Sequence, residues 1–78
     1  MKEKNGEFEM TELWLVKADW NRTYIGTIIR ETKDGKPHLR GNADIDGVLI
    51  SAEADSEEAL TNKLDAMCTE ILDGEKRL

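Results

Sequence analysis

The stretch Asn42 to Glu53, NADIDGVLISAE, constrains the fold more than any other because it fits two templates that exclude each other. Its spacing approaches a calcium loop, with oxygen-bearing side chains at positions 1, 3, 5 and 12 (Asn42, Asp44, Asp46 and Glu53) and Gly47 at position 6. Its periodicity is that of a β-hairpin turning at Asp46-Gly47. A calcium loop of this type needs an incoming helix, and Gly35, Pro37 and Gly41 interrupt the segment where that helix would lie. In the hairpin, a two-residue turn pairs Ile45 with Val48, Ala43 with Ile50, Gly41 with Ala52 and Leu39 with Ala54, all apolar or small and all on one face. The other face pairs Asp44 with Leu49, Asn42 with Ser51, and Arg40 with Glu53, an opposite-charge pair that supports a sheet. Glu53 then sits beside Arg40, ~13 Å along the strand from Asp44. The hairpin is the stronger template, and calcium binding at Asn42, Asp44, Asp46 and Glu53 remains a lesser alternative.

The same alternation extends towards the N-terminus. Period two, broken by short polar turns, predicts strands over Leu13 to Trp20, Tyr24 to Thr32, Pro37 to Ile45 and Val48 to Ala54. The turns are expected at Asn21-Arg22, Asp34-Gly35-Lys36 and Asp46-Gly47, whose residues accept turn geometry. With those turn lengths, Trp14, Val16 and Ala18 lie with Ile25, Thr27 and Ile29 on the face shared with Ala43 and Ile50. A one-residue slip at either of the first two turns would present Tyr24 and Ile28 there instead.

Asp55 to Asp73 switches to the helical period, with Leu60, Leu64, Met67, Cys68 and Ile71 on one stripe. Asp55 and Glu58 have capping-box spacing, Glu57 and Glu58 suit the positive end of the helix dipole, and Gly74 stands where a helix commonly stops. The stripe is expected to pack where Gly41, Ala43, Ala52 and Ala54 let a helix approach. The predicted fold class is therefore α+β: a four-stranded antiparallel meander with one C-terminal helix on one face, ββββα, in a single domain of 78 residues with ends fraying at 1–9 and 75–78.

This arrangement leaves one sheet face uncovered. On the turn lengths above it carries Leu13, Leu15, Lys17, Tyr24, Ile28, Arg30, His38, Arg40 and Leu49, together with Asp19, Asp44 and Glu53. An apolar patch on a one-layer sheet is usually covered by something. Leu15, Lys17, Tyr24, Ile28, Arg30, Arg40 and Leu49 are accordingly the expected interface residues, for a homodimer or another protein partner. Single-stranded nucleic-acid binding is the competing reading, with Trp14 and Trp20 as stacking candidates, although their alternation with Val16 and Ala18 suits core anchors better. It is not favoured, because the charges of that face nearly cancel. The net charge of −6 is also segregated: residues 14–42 carry six Lys or Arg against three acids, and residues 43–78 carry three against ten.

No enzyme constellation, metal cluster or cofactor motif is expected. His38 is the sole histidine, Cys68 lies on the apolar stripe of the helix, and there is no Gly-rich phosphate loop. One cysteine cannot form an internal disulfide, and the first ten residues hold no apolar stretch, so a soluble cytoplasmic protein without membrane contact is the expectation. Two stretches, Ala43-Asp44-Ile45-Asp46-Gly47-Val48 and Ser56-Glu57-Glu58-Ala59-Leu60, resemble the strand-ending turn and the helix start of the HicB-like antitoxin family. The resemblance covers Tyr24 to Leu72 at best and implies a regulatory, antitoxin-type role.

Overall fold

Two Asp-Gly dipeptides set the architecture. Asp34 and Gly35 have φ of 55° and 78°, and Asp46 and Gly47 have φ of 54° and 91°. Positive φ at both central residues defines a type I′ turn, whose twist matches that of the strands it joins and therefore closes a two-residue hairpin. In the computed structural model, which describes residues 9–76, these turns connect β2 (Arg22–Lys33) to β3 (Lys36–Ile45) and β3 to β4 (Val48–Ala54). With β1 (Glu9–Lys17) they form a four-stranded antiparallel meander in the order β1-β2-β3-β4, followed by α1 (Glu57–Lys76) on one face. The fold is ββββα, as the alternation and the helical stripe predict. Glu9 is paired with Arg30 and α1 runs past Glu75, so ordered structure reaches into both segments expected to fray; residues 1–8 and 77–78 lie outside those described.

The β3–β4 register is the predicted one at every pair, from Ile45 with Val48 to Leu39 with Ala54. The β2–β3 register differs by one residue. Lys36 pairs with Lys33, so the turn is two residues long rather than three, and Gly26 stands opposite Ala43. Because side chains alternate with period two, that single slip moves the whole β1–β2 pair over: Leu13, Leu15, Lys17 and Ile28 lie beneath the helix, and Trp14, Val16 and Ile25 face outward. The first turn also departs from expectation. Lys17 pairs with Arg22, and Ala18–Trp20 form a short 3-10 turn closed by Asn21 in the left-handed region at φ 56°, its N–H donating to the Ala18 carbonyl at 3.0 Å. Trp20 thus leaves the strand and packs half-buried against the core, 5.9 Å from the Lys17 ammonium.

The core comprises Leu13, Leu15, Ile28, Leu39, Ala43, Ile45 and Ile50 from the sheet, with Leu60, Leu64, Cys68 and Leu72 from α1. The helix residues recur at intervals of four, giving the narrow stripe that one sheet face can cover. Gly41 admits them: a Cβ there would sit 2.8 Å from Leu64 Cδ1 and 3.1 Å from Leu60 Cδ2. The helix is capped by Ser56 rather than Asp55, since the Ala59 N–H donates to Ser56 Oγ at 3.2 Å and the Leu60 N–H to the Ser56 carbonyl at 3.0 Å. Gly74 is carried inside the last turns instead of ending them.

Burial of Cys68 has a pH consequence. Desolvation pushes its thiol above the ordinary value of 9.0, so the folded chain holds this proton at a pH where the unfolded chain has lost it. The stabilisation is complete below pH 9.0 and is lost as pH rises through the higher folded value. Tyr24, also raised chiefly by desolvation, adds to the decline only above its ordinary 10.0. Thermal melts between pH 8 and 10 are expected to show a falling melting temperature for the native chain and a flatter profile for Cys68→Ala. Equal slopes would contradict the assignment.

Candidate functional site

The helix-free face is built from the residues of each strand that alternate away from the core, and the registers arrange them in rows. Met10, Ile29, Arg40 and Glu53 lie side by side across β1 to β4. The next row is Glu12, Thr27, Asn42 and Ser51. In the third, Trp14 pairs with Ile25 and Asp44 with Leu49. Val16 with Thr23 continues one end, and Glu31 with His38 the other. The β1–β2 half is therefore apolar and the β3–β4 half largely polar, with a polar row across the middle.

Met10 is 61% exposed, Trp14 57%, Val16 65%, Ile25 51% and Leu49 76%. These values decide the character of the face, because large apolar side chains that share a surface are seldom left this open on a monomer. Its ionic groups are mostly tied to one another. Arg40 Nε lies 3.0 Å from Glu31 Oε2, His38 Nε2 lies 3.2 Å from Glu53 Oε1, and Trp14 Nε1 donates to Glu12 at 3.3 Å. Asp44 Oδ1 accepts the Gly47 N–H at 2.8 Å and fastens the turn.

Of the expected interface residues, Arg40 and Leu49 are on this face and the other five are not. Leu15 and Ile28 are each 2% exposed in the core. Lys17 is buried and donates to Asp65 Oδ1 and Thr69 Oγ1 of the helix, both at 2.8 Å. Tyr24 and Arg30 mark opposite ends of the helix side. The Tyr24 hydroxyl donates to Asp46 Oδ2 at 3.0 Å and accepts from Arg22 Nη1 at 3.1 Å, while Arg22 also meets Asp46 at 2.6 Å and Glu75 at 3.2 Å. These partners raise the Arg22 guanidinium further, the Tyr24 bond foremost. Arg30 pairs with Glu57 and reaches Thr11 at 3.4 Å. The residues that take the vacated places are Met10, Trp14, Val16, Ile25 and Ile29, which the three-residue turn had assigned to the core or left outside the strands.

The calcium candidates are not gathered. Asp46 is held in the Arg22–Tyr24 cluster, Asp44 binds its own turn, and Glu53 stands with His38 four residues beyond Leu49, the partner of Asp44. Among the described residues no group of three or more His, Cys, Asp or Glu side chains is placed to hold a metal ion. Among them, too, no helix is long and apolar enough to cross a membrane. No protein-family model, curated protein or solved structure matches this chain.

Proposed function

We propose that this protein is a small, non-catalytic, cytoplasmic interaction module that uses the helix-free sheet face as its contact surface. The carrying observation is that Met10, Trp14, Val16, Ile25 and Leu49 stand open together on one face, each more than half exposed. Leaving them in water forgoes ~25 cal/mol for each Å² of apolar surface that a partner would cover. A non-catalytic role is supported by the chemistry around the two reactive side chains. Cys68 is fully buried with its thiol raised, and His38 is engaged by Glu53 on the exposed sheet. HicB-like regulation is the most specific form of this reading, resting on the Asp46-Gly47 hairpin and the Ser56-capped helix start. Single-stranded nucleic-acid binding has less support, because Lys17 and Arg30 pair with Asp65 and Glu57 on the helix side and Arg40 pairs with Glu31.

The test is the size of the assembly that contains the protein in cells that express it. Chemical cross-linking of the tagged chain inside those cells, before any dilution, is expected to give a product well above its own 8.8 kDa, and Trp14→Glu with Ile25→Glu should leave only the monomer. Circular dichroism of the purified variant should be unchanged, since both side chains already face water. A native chain that cross-links to nothing in the cell, or an assembly indifferent to the double variant, would refute the reading.

A further inference from the structure

The pattern of the open face is self-complementary about one axis, and we infer that its occupant is a second copy of this chain, related by a two-fold axis running along the row Glu12–Thr27–Asn42–Ser51. The inference rests on the interaction reading above and names the partner.

A two-fold dimer brings the same patch of both copies together, so residue i meets j and j meets i. Two sheets stacked face to face keep their strands within about 30° of each other, which leaves two choices of axis in the interface plane. An axis parallel to the strands overlaps all four of them only when it runs between β2 and β3, where it lays β1 over the partner copy's β4. It would set Trp14 on Leu49 but place Ile29 on Arg40, Ile25 on Asp44 and Met10 on Glu53, burying charges against apolar side chains. An axis across the strands along the middle row instead lays each strand over its own copy. Met10 then meets Trp14, Ile29 meets Ile25 and Arg40 meets Asp44, each contact occurring twice, while Thr27 and Asn42 meet themselves. The apolar half covers the apolar half and opposite charges face each other. The two mismatches, Glu12 on itself and Glu53 on Leu49, fall on the outer strands β1 and β4, where the side chains reach water.

The area is sufficient for a weak dimer. The four strands, seven to twelve residues long, overlap their own copies about this axis over roughly eight residues each, which at ~3.4 Å per residue and ~4.8 Å between strands gives a face of roughly 520 Å² per copy. Twice that is just above the ~1,000 Å² that a specific interface requires. An interface this small belongs with weak, transient associations, so the dimer is expected to separate on dilution.

Charge reversal tests the register. Arg40→Asp alone and Asp44→Arg alone each set like charges in both symmetric contacts, so each purified variant should be monomeric at a concentration where the native chain is dimeric. Mixed in equal amounts they should form a heterodimer, because both contacts in the mixed pair are again opposite in sign. Asp44→Arg also removes the bond to the Gly47 N–H, so its fold is checked by circular dichroism, and a second measurement does not depend on it. A cysteine placed by Asn42→Cys lies on the axis and should link to its symmetry mate through a bis-maleimide spanning ~10 Å, the distance between stacked sheets. Thr23→Cys, four residues from Thr27 along β2, lies ~13 Å from the axis and should not link. Cys68 is fully buried and silent. A native chain that stays monomeric up to 1 mM in sedimentation equilibrium overturns the second-copy assignment but leaves the interaction reading standing if the cellular assembly still depends on Trp14 and Ile25. Linking through Thr23→Cys but not Asn42→Cys, or a failure of two folded charge variants to combine, overturns this axis.

Discussion

Leu64→Ala is expected to lower the melting temperature by roughly 15–25 °C, corresponding to a loss of about 3–4 kcal/mol. Leu64 is wholly buried near the middle of α1 and sits over Gly41, whose missing Cβ leaves room for its Cδ1. Removing its branched end forfeits the transfer energy of the lost carbons and leaves a cavity that neither β3 nor α1 can collapse to fill. A chain of 78 residues has only about 4–12 kcal/mol of total stability, so the loss is a large share of what holds it folded. The cause can be isolated with Gly41→Ala. Alone, the added methyl would press on Leu64 Cδ1 at 2.8 Å and on Leu60 Cδ2 at 3.1 Å and cost about 1–2 kcal/mol. In the double variant the same methyl enters the space that Leu64 has vacated. Urea unfolding should then show the pair to be at least about 1 kcal/mol more stable than the sum of the single effects predicts. Strict additivity would mean that Leu64 does not pack on Gly41.

The same contact explains why part of this fold is legible in the sequence and part is not. On β3 and β4 the two faces differ sharply: Gly41, Ala43, Ala52 and Ala54 against Arg40, Asn42, Ser51 and Glu53. A register error there would bury charges under the helix, so only one pairing is tolerable, and it is the one observed. On β1 and β2 both faces are apolar. Leu13-Trp14-Leu15-Val16 and Ile28-Ile29 offer a large hydrophobic side chain to either side, so alternation detects the strands without orienting them. Orientation then hangs on one turn, and counting Lys36 into it inverts half the sheet. The signal that decides it is present in the chain: Asp34-Gly35 is the same dipeptide as Asp46-Gly47, and it closes the same two-residue hairpin. Arg40 and Leu49 were therefore legible as open-face residues, because they belong to the oriented half. Leu15, Lys17, Tyr24, Ile28 and Arg30 exchanged places with Trp14, Val16, Ile25 and Ile29 because they do not.

Lys17 is the residue for which that exchange has the largest energetic meaning. A lysine on an open face would tolerate any substitution, whereas here Lys17→Glu is expected to cost about 3–5 kcal/mol and leave most of the protein unfolded at neutral pH. The substitution puts a carboxylate where the ammonium now sits, 2.8 Å from Asp65 Oδ1 and beneath the helix, so desolvation and like-charge repulsion act together. Both raise the introduced carboxyl above its ordinary range. The penalty is consequently largest at neutral pH and recedes as pH falls through that raised value, and part of the lost melting temperature should return between about pH 7 and 4. Lys17→Met separates charge from packing. It keeps a long apolar stem to pack beside Leu15 and Trp20, and it leaves Asp65 uncompensated but not stranded, because that side chain is 48% exposed. Its cost is expected to stay within about 1 kcal/mol, since removing a buried ammonium also removes its desolvation penalty. If Lys17→Met falls as far as Lys17→Glu in thermal melts at pH 7, the pairing with Asp65 and Thr69, rather than the fit of the stem, is what holds α1 to the β1 edge of the sheet.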